Sequence, residues 1–239
     1  HQQQQQHVVA PLRMNNFFSD MGDVLTGGKL EPQSGSPPYG QSLGSLSGDM
    51  TTLAVQERLL TLTGEDFDVY SVDTDNNNAE TPFCNVKGAM LSPLQAKMRI
   101  IDSSTNEVLA GLERKFVALT PTYDMYRGDF QEKIGWLEKA TIALTETFEF
   151  HVEGGFGVFK PPAAYKLEGD FLERRFVVKN DKGQCVAKIS EDRLVEFDNM
   201  NHYSLRIAPN MDAALVVACC CAIDEELEEE HQKRRERRG

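Results

Sequence analysis

The chain lacks any apolar run long enough to cross a bilayer as a helix, which takes about 20 residues. Its longest uncharged apolar stretch, Ala213 to Ile223, has eleven, about 16 Å as a helix against a ~30 Å hydrocarbon core. Positive charge is also scarce: 25 Lys and Arg against 37 Asp and Glu leave a net charge of −12. Nucleic-acid binding and nonspecific adhesion to anionic lipid both need a basic footprint, so no nucleic-acid partner is expected. The five cysteines, Cys84, Cys185 and Cys219 to Cys221, are odd in number and form no CxxC. That excludes a disulfide framework and points to a reduced, intracellular protein. The N-terminus, HQQQQQH, has neither the basic nor the apolar segment of a signal peptide and no initiator Met, and reads as a fragment or trimmed chain. P-loop and HExxH motifs are absent, and no catalytic residue, metal site or cofactor is assigned.

What is present divides the chain in three. Residues 1–50 carry a Gln run and many Gly, Ser and Pro without apolar periodicity, and are expected to be a disordered tail. From about residue 51 to 225 short alternating runs are separated by turn signals: FDVYSV (67–72), KMRIID (97–102), FEFHV (148–152), RRFVVK (174–179) and HYSLRI (202–207). Gly183 in NDKGQ can take positive φ at no steric cost, and DSSTNE (102–107) is the matching earlier turn. About a dozen strands fit, which indicates an antiparallel barrel or sandwich. Residues 226–239, acidic and then basic, are expected to form a solvated helical tail, with Glu229–Lys233 and Glu230–Arg234 four apart.

The strand region repeats itself. RIIDSSTNEVLAGL (99–112) lies over FVVKNDKGQCVAKI (176–189) at an offset of 77, at which Tyr126 also meets Tyr203; upstream, FDVYSV meets FEFHVE at an offset of 81. Two halves of about six strands follow.

The apolar run follows Pro209 and Asp212, which suit a helix N-terminus. A helix apolar on every side must be surrounded, and a closed barrel of a dozen strands can enclose it. The expected fold is therefore mainly β: a closed antiparallel barrel threaded by a central hydrophobic C-terminal helix. Leu215, Val216, Val217 and Ile223 supply its bulk, and the small Cys219, Cys220 and Cys221 keep it thin. Consecutive helical residues point about 100° apart, so the three cysteines cannot converge on one zinc. His151 and His202 alternate with apolar neighbours and read as ordinary strand residues.

YKLEGDFLERRFVVKNDKGQCVAKIS and NHYSLRIAPNMDAALVVACCCAIDE resemble the LURP-one-related family. The resemblance rests on Gly169-Asp170-Phe171, on Gly183 with Val186-Ala187, on Tyr203 followed by Pro209, Asp212 and Asp224, and on FVALTPTYDMYRG (116–128), and spans about residues 60–225. It implies the tubby C-terminal-like fold shared with tubby proteins and phospholipid scramblases: twelve strands around a hydrophobic helix. It also implies a signalling role, linked in plants to pathogen defence. Asn201-His202 stands where the family commonly carries an acidic residue before the tyrosine, so no calcium role carries over. A palmitoylated Cys-rich segment ahead of the barrel is missing too.

Lys97 and Arg99 alternate with Met98 and Ile100 and face outward together; Arg114 and Lys115, then Arg174 and Arg175, follow at corresponding places in the two halves. Converging cations of this kind hold a phosphorylated headgroup by charge-assisted hydrogen bonds, as tubby proteins do with phosphoinositides. The expectation is a monomeric, non-catalytic, cytoplasmic module, peripheral at the plasma membrane, that meets a phosphoinositide surface or a protein partner. The alternative is a scramblase-like protein whose terminal helix enters the bilayer.

Overall fold

The computed structural model describes residues 28–58, 66–76, 78–92, 95–115, 117–140, 146–154, 160–190 and 202–236. The Gln run, the glycine-rich loop from 155 to 159, the His202 side chain and the side chains of the basic tip, Lys233 and Arg234 among them, lie outside the described residues.

Twelve strands are described: β1 (Thr51–Arg58), β2 (Asp66–Asp73), β3 (Ala79–Ser92), β4 (Gln95–Asp102), β5 (Val108–Arg114), β6 (Thr122–Arg127), β7 (Glu132–Lys139), β8 (Thr147–Val152), β9 (Tyr165–Asp170), β10 (Arg175–Asn180), β11 (Cys185–Ser190) and β12 (His202–Ile207). Each pairs antiparallel with its sequence neighbours, and β1 pairs with β12 from Thr51↔Ile207 to Gln56↔His202, closing the barrel. Helix α1 (Ala213–Glu236) follows β12.

Period-two alternation places Leu53, Val55, Phe67, Val69, Ile100, Leu112, Phe148, Phe150, Leu167 and Leu205 inside, each at most 1% exposed. They meet a helix whose residues from Ala213 to Ile223 are all buried. Leu215, Val216, Val217 and Ile223 each contribute about 1.5–3 kcal/mol by leaving water. Cys219, Cys220 and Cys221 are core residues at 4%, 2% and 0% exposure, so the small side chains serve the fit as expected.

The repeat holds strand by strand with a corrected register. Phe67 and Phe148, and Val86 and Leu167, share the inward face at the offset of 81. In the next hairpin the offset of 77 sets outward Arg99 on core Phe176; the inward pairs are Met98 with Phe176 and Ile100 with Val178. Tyr126 likewise lies outside against Phe130, so buried Tyr123 is the counterpart of Tyr203. An odd slip inverts every side chain; past the turn, buried Ala110 and Leu112 do meet buried Ala187 and Ile189 at 77, and equivalent bulges follow Ile100 and Val178 in the two halves. Gly169, at φ 149°, is obligatory: a Cβ there would meet the Arg175 carbonyl oxygen at 2.4 Å.

The expected disordered tail is corrected for residues 28–50. They form a strap across the barrel mouth at the helix N-terminus. Leu30 bridges Cys185, the Gln33 amide donates to the Pro209 carbonyl at 2.9 Å, and Tyr39 and Leu43 are buried in the core at 8% and 4% exposure. Arg127 donates to the carbonyls of Gln41 at 2.6 Å and Ser42 at 2.8 Å. Composition hid this because the anchors are single residues in a polar background. The expected tail boundary at 226 also shifts, since Glu226 and Leu227 are still buried at 3% and 9%.

Ser45 supplies a helix cap from the far end of the chain. Its hydroxyl accepts the Ala214 amide at 2.7 Å and donates to Asp212. Ser45→Ala should lower stability by ~1–2 kcal/mol, the usual worth of an N-cap; an unchanged urea midpoint would refute that role.

Candidate functional site

Charge gathers at three places: the two barrel mouths and the outer face. At the mouth where α1 begins, Asp212 is 2% exposed. It accepts from the Tyr39 hydroxyl at 3.1 Å, the Leu43 amide at 2.6 Å and the Ser45 hydroxyl. Burial first, and then Asp212, push the Tyr39 phenol far above its ordinary range.

At the opposite mouth α1 leaves the barrel between rim cations. Arg114, its side chain 12% exposed, pairs with Glu226 at 2.9 Å and with Glu229, and lies over the Tyr123 ring. Arg174 pairs with Asp224 at 3.4 Å and covers Tyr203, whose hydroxyl donates to Asp224 at 2.8 Å. Burial and then the Asp224 charge raise the Tyr203 phenol well above the ordinary value. Lys139 binds Glu230 at 2.9 Å and Glu146 at 3.2 Å. Burial works against its ammonium, yet these carboxylates outweigh it and raise its pKa.

The six cations singled out from the sequence therefore do not meet at one site. Arg114 and Arg174 lock the helix exit. Lys115 turns to Asp124 at 2.9 Å, and Arg175 to Glu173 at 3.2 Å. Lys97 and Arg99 are brought together: both lie over the Phe130 ring, at 4.8 and 5.3 Å from its centroid. Phe130, at φ 55°, tips onto the barrel wall where Gly111 leaves room; a Cβ on Gly111 would stand 2.9 Å from the ring. Exposed Lys87 faces Arg99 across β3 and β4. Glu113 at 3.1 Å from Lys97 and Asp129 at 2.7 Å from Arg99 temper this charge. Sequence reasoning missed Phe130 and Lys87; the signal for Lys87 was its outward parity on β3.

A second outer cluster centres on His151, read from the sequence as an ordinary strand residue. His151 faces outward from β8 but is covered, with a side chain 2% exposed beside Glu138 and Glu149. An open cleft of about 750 Å³ runs past it between Lys160 and Lys179. Burial acts against the Glu149 carboxylate, but Lys166 and Lys160 prevail and lower its pKa. Among the described residues no helix is long and apolar enough to cross a membrane.

The sequence profile of the LURP-one-related family matches residues 51–224. The chain belongs to that family. The LURP-one-related match begins at β1, so the strap precedes it. Among solved structures, an X-ray structure of a protein from Arabidopsis thaliana is similar, with a TM-score of 0.55 and 14% identity over 77% of this chain and 94% of that one. At that identity the likeness shows the fold alone. No curated protein matches this LURP-one-related chain by sequence.

Proposed function

We propose that this LURP-one-related protein is a non-catalytic regulatory module that docks its outer barrel wall on phosphoinositide-bearing membrane. The observation that carries the reading is the occupied interior: α1 fills the barrel from Ala213 to Ile223. A substrate or small ligand has no room inside, which leaves recognition to the surface. On that surface Lys97, Arg99 and neighbouring Lys87 flank an aromatic ring. A phosphorylated headgroup competes with Glu113 and Asp129 for these cations, since exposed ion pairs are worth only about 0–1 kcal/mol. The enclosed helix presents no apolar face to lipid, which favours peripheral association over a scramblase-like insertion.

Flotation of the protein with neutral vesicles, with and without phosphoinositide, tests this. Recovery in the floated fraction should rise with phosphoinositide and fall at least several-fold in the Lys97→Ala/Arg99→Ala variant. Equal flotation under all conditions removes the lipid reading.

A further inference from the structure

We propose that Glu138, Glu149 and His151 form a binding site for a divalent cation of the zinc class on the outer wall of the barrel. This inference is independent of the phosphoinositide reading, since it rests on β7 and β8.

His151 Nδ1 lies 2.9 Å from the Pro161 carbonyl oxygen. A carbonyl only accepts, so Nδ1 carries the hydrogen, and in the neutral ring that leaves the lone pair at Nε2. That nitrogen is buried and makes no hydrogen bond. It points instead at two acceptors, 3.4 Å from Glu149 Oε2 and 3.9 Å from Glu138 Oε1. Three electron-rich atoms within 4.8 Å of one another repel unless positive charge stands among them. Ligand atoms on a tetrahedron around zinc at ~2.0–2.1 Å are about 3.3–3.4 Å apart, so small side-chain shifts bring this set to that spacing.

The surroundings hold the three donors in place. Glu138 pairs with Glu149, and Trp136 with His151, across β7 and β8. The Trp136 ring stacks on the imidazole at 5.3 Å between centroids and 24° between planes. The Trp136 indole N–H donates to Glu138 Oε2 at 3.0 Å, and Lys166 sits 3.3 Å from Glu149 Oε1. Each carboxylate thus has one oxygen secured and the other turned toward Nε2. A histidine fixed by a carbonyl and carboxylates fixed by outer donors are how metal ligands are oriented.

One cation already reaches this place. Lys160 Nζ contacts Glu138 and lies 3.4 Å from Glu149, on a side chain 45% exposed. Its ammonium meets the carboxylates, and Nε2 is left without a hydrogen bond. A metal ion satisfies all three donors once Lys160 swings into the cleft. The mixed nitrogen and oxygen set selects a first-row ion over calcium, which takes six to eight oxygens.

The test is Zn²⁺ titration of the full chain by calorimetry, with circular dichroism to confirm folding. Wild type should bind one equivalent that weakens at least about 10-fold in His151→Gln and in Glu149→Gln. Lys160→Met, which removes the competing ammonium, should bind about 10-fold more tightly and show the larger zinc-induced rise in melting temperature. If His151→Gln fails to fold, Lys160→Met decides. No uptake by wild type or Lys160→Met overturns the site. So does an equivalent that persists unchanged in folded His151→Gln, because His1, His7, His202 and His231 are the chain's other histidines.

Discussion

Asp212→Ala will cost roughly 3–5 kcal/mol and release the N-terminal strap while the barrel strands stay paired. The carboxylate is buried at 2% exposure and accepts from Tyr39, Leu43 and Ser45, three donors 167 to 173 residues away in sequence. Hydrogen bonds to a charged acceptor are each worth about 1.5–3 kcal/mol, and losing the acceptor strands buried donors. The negative charge also sits at the N-terminus of α1, where it complements the helix dipole. The loss should appear twice: as a lower denaturant midpoint, and as faster amide exchange and proteolysis between residues 29 and 50. Asp212→Asn keeps one acceptor oxygen and should lose less. A destabilised variant whose strap remained as protected as wild type would break the assigned link between the two ends of the chain.

Why that link escaped sequence reasoning is physical. Strands announce themselves because every second residue must be apolar, and Phe67, Val69, Phe148 and Phe150 keep that beat. The helix announces itself because eleven uncharged residues need enclosure. The strap obeys no period. It is held by backbone amides and by two anchors, Tyr39 and Leu43, in a stretch whose composition is that of a linker. Asp212 was legible as a helix start, but not as an acceptor for residues so remote.

The charged candidates were legible only as far as parity goes. Alternation placed Lys97 and Arg99 on one face, and the structure brings them over Phe130. Parity says nothing about residues at strand ends. Arg114 closes β5, and Arg174 precedes β10 at φ 49°; both turn to the acids of α1 instead of the outer wall. The His151 cluster depends on the register between β7 and β8 and on the chain returning at Pro161, neither of which single-strand patterns encode.

Alkaline pH should unfold this protein more steeply than most, because its helix is plugged into the barrel by thiols that cannot ionise there. All five cysteines are buried and none is in a disulfide. Burial raises Cys219 from 9.0 to about 12, and burial followed by the Asp224 charge holds Cys220 and Cys221 well above the ordinary value. Cys84 is raised chiefly by burial as well. The sign follows from proton counting. Below pH 9 both states keep these protons and stability is unaffected. Above it the unfolded chain gives up four protons that the folded one retains, so stability falls as pH rises. At about 1.36 kcal/mol per proton and pH unit, the slope reaches roughly 5 kcal/mol per unit above pH ~10. The phenols of Tyr39, Tyr123, Tyr165 and Tyr203, all raised mainly by burial, steepen it further. Denaturant titrations at several pH values measure the slope, and Cys220→Ala/Cys221→Ala should halve the thiol part whatever it does to stability at neutral pH. The same burial makes the thiols inert. Near neutral pH the Cys219 thiolate is about a thousand-fold rarer than in an ordinary cysteine, so a bulky thiol reagent should label none of the five until denaturant opens the barrel. Labelling of Cys219, Cys220 or Cys221 in the native protein would mean that α1 is not enclosed, and the occupied interior on which the surface-binding reading rests would be lost with it.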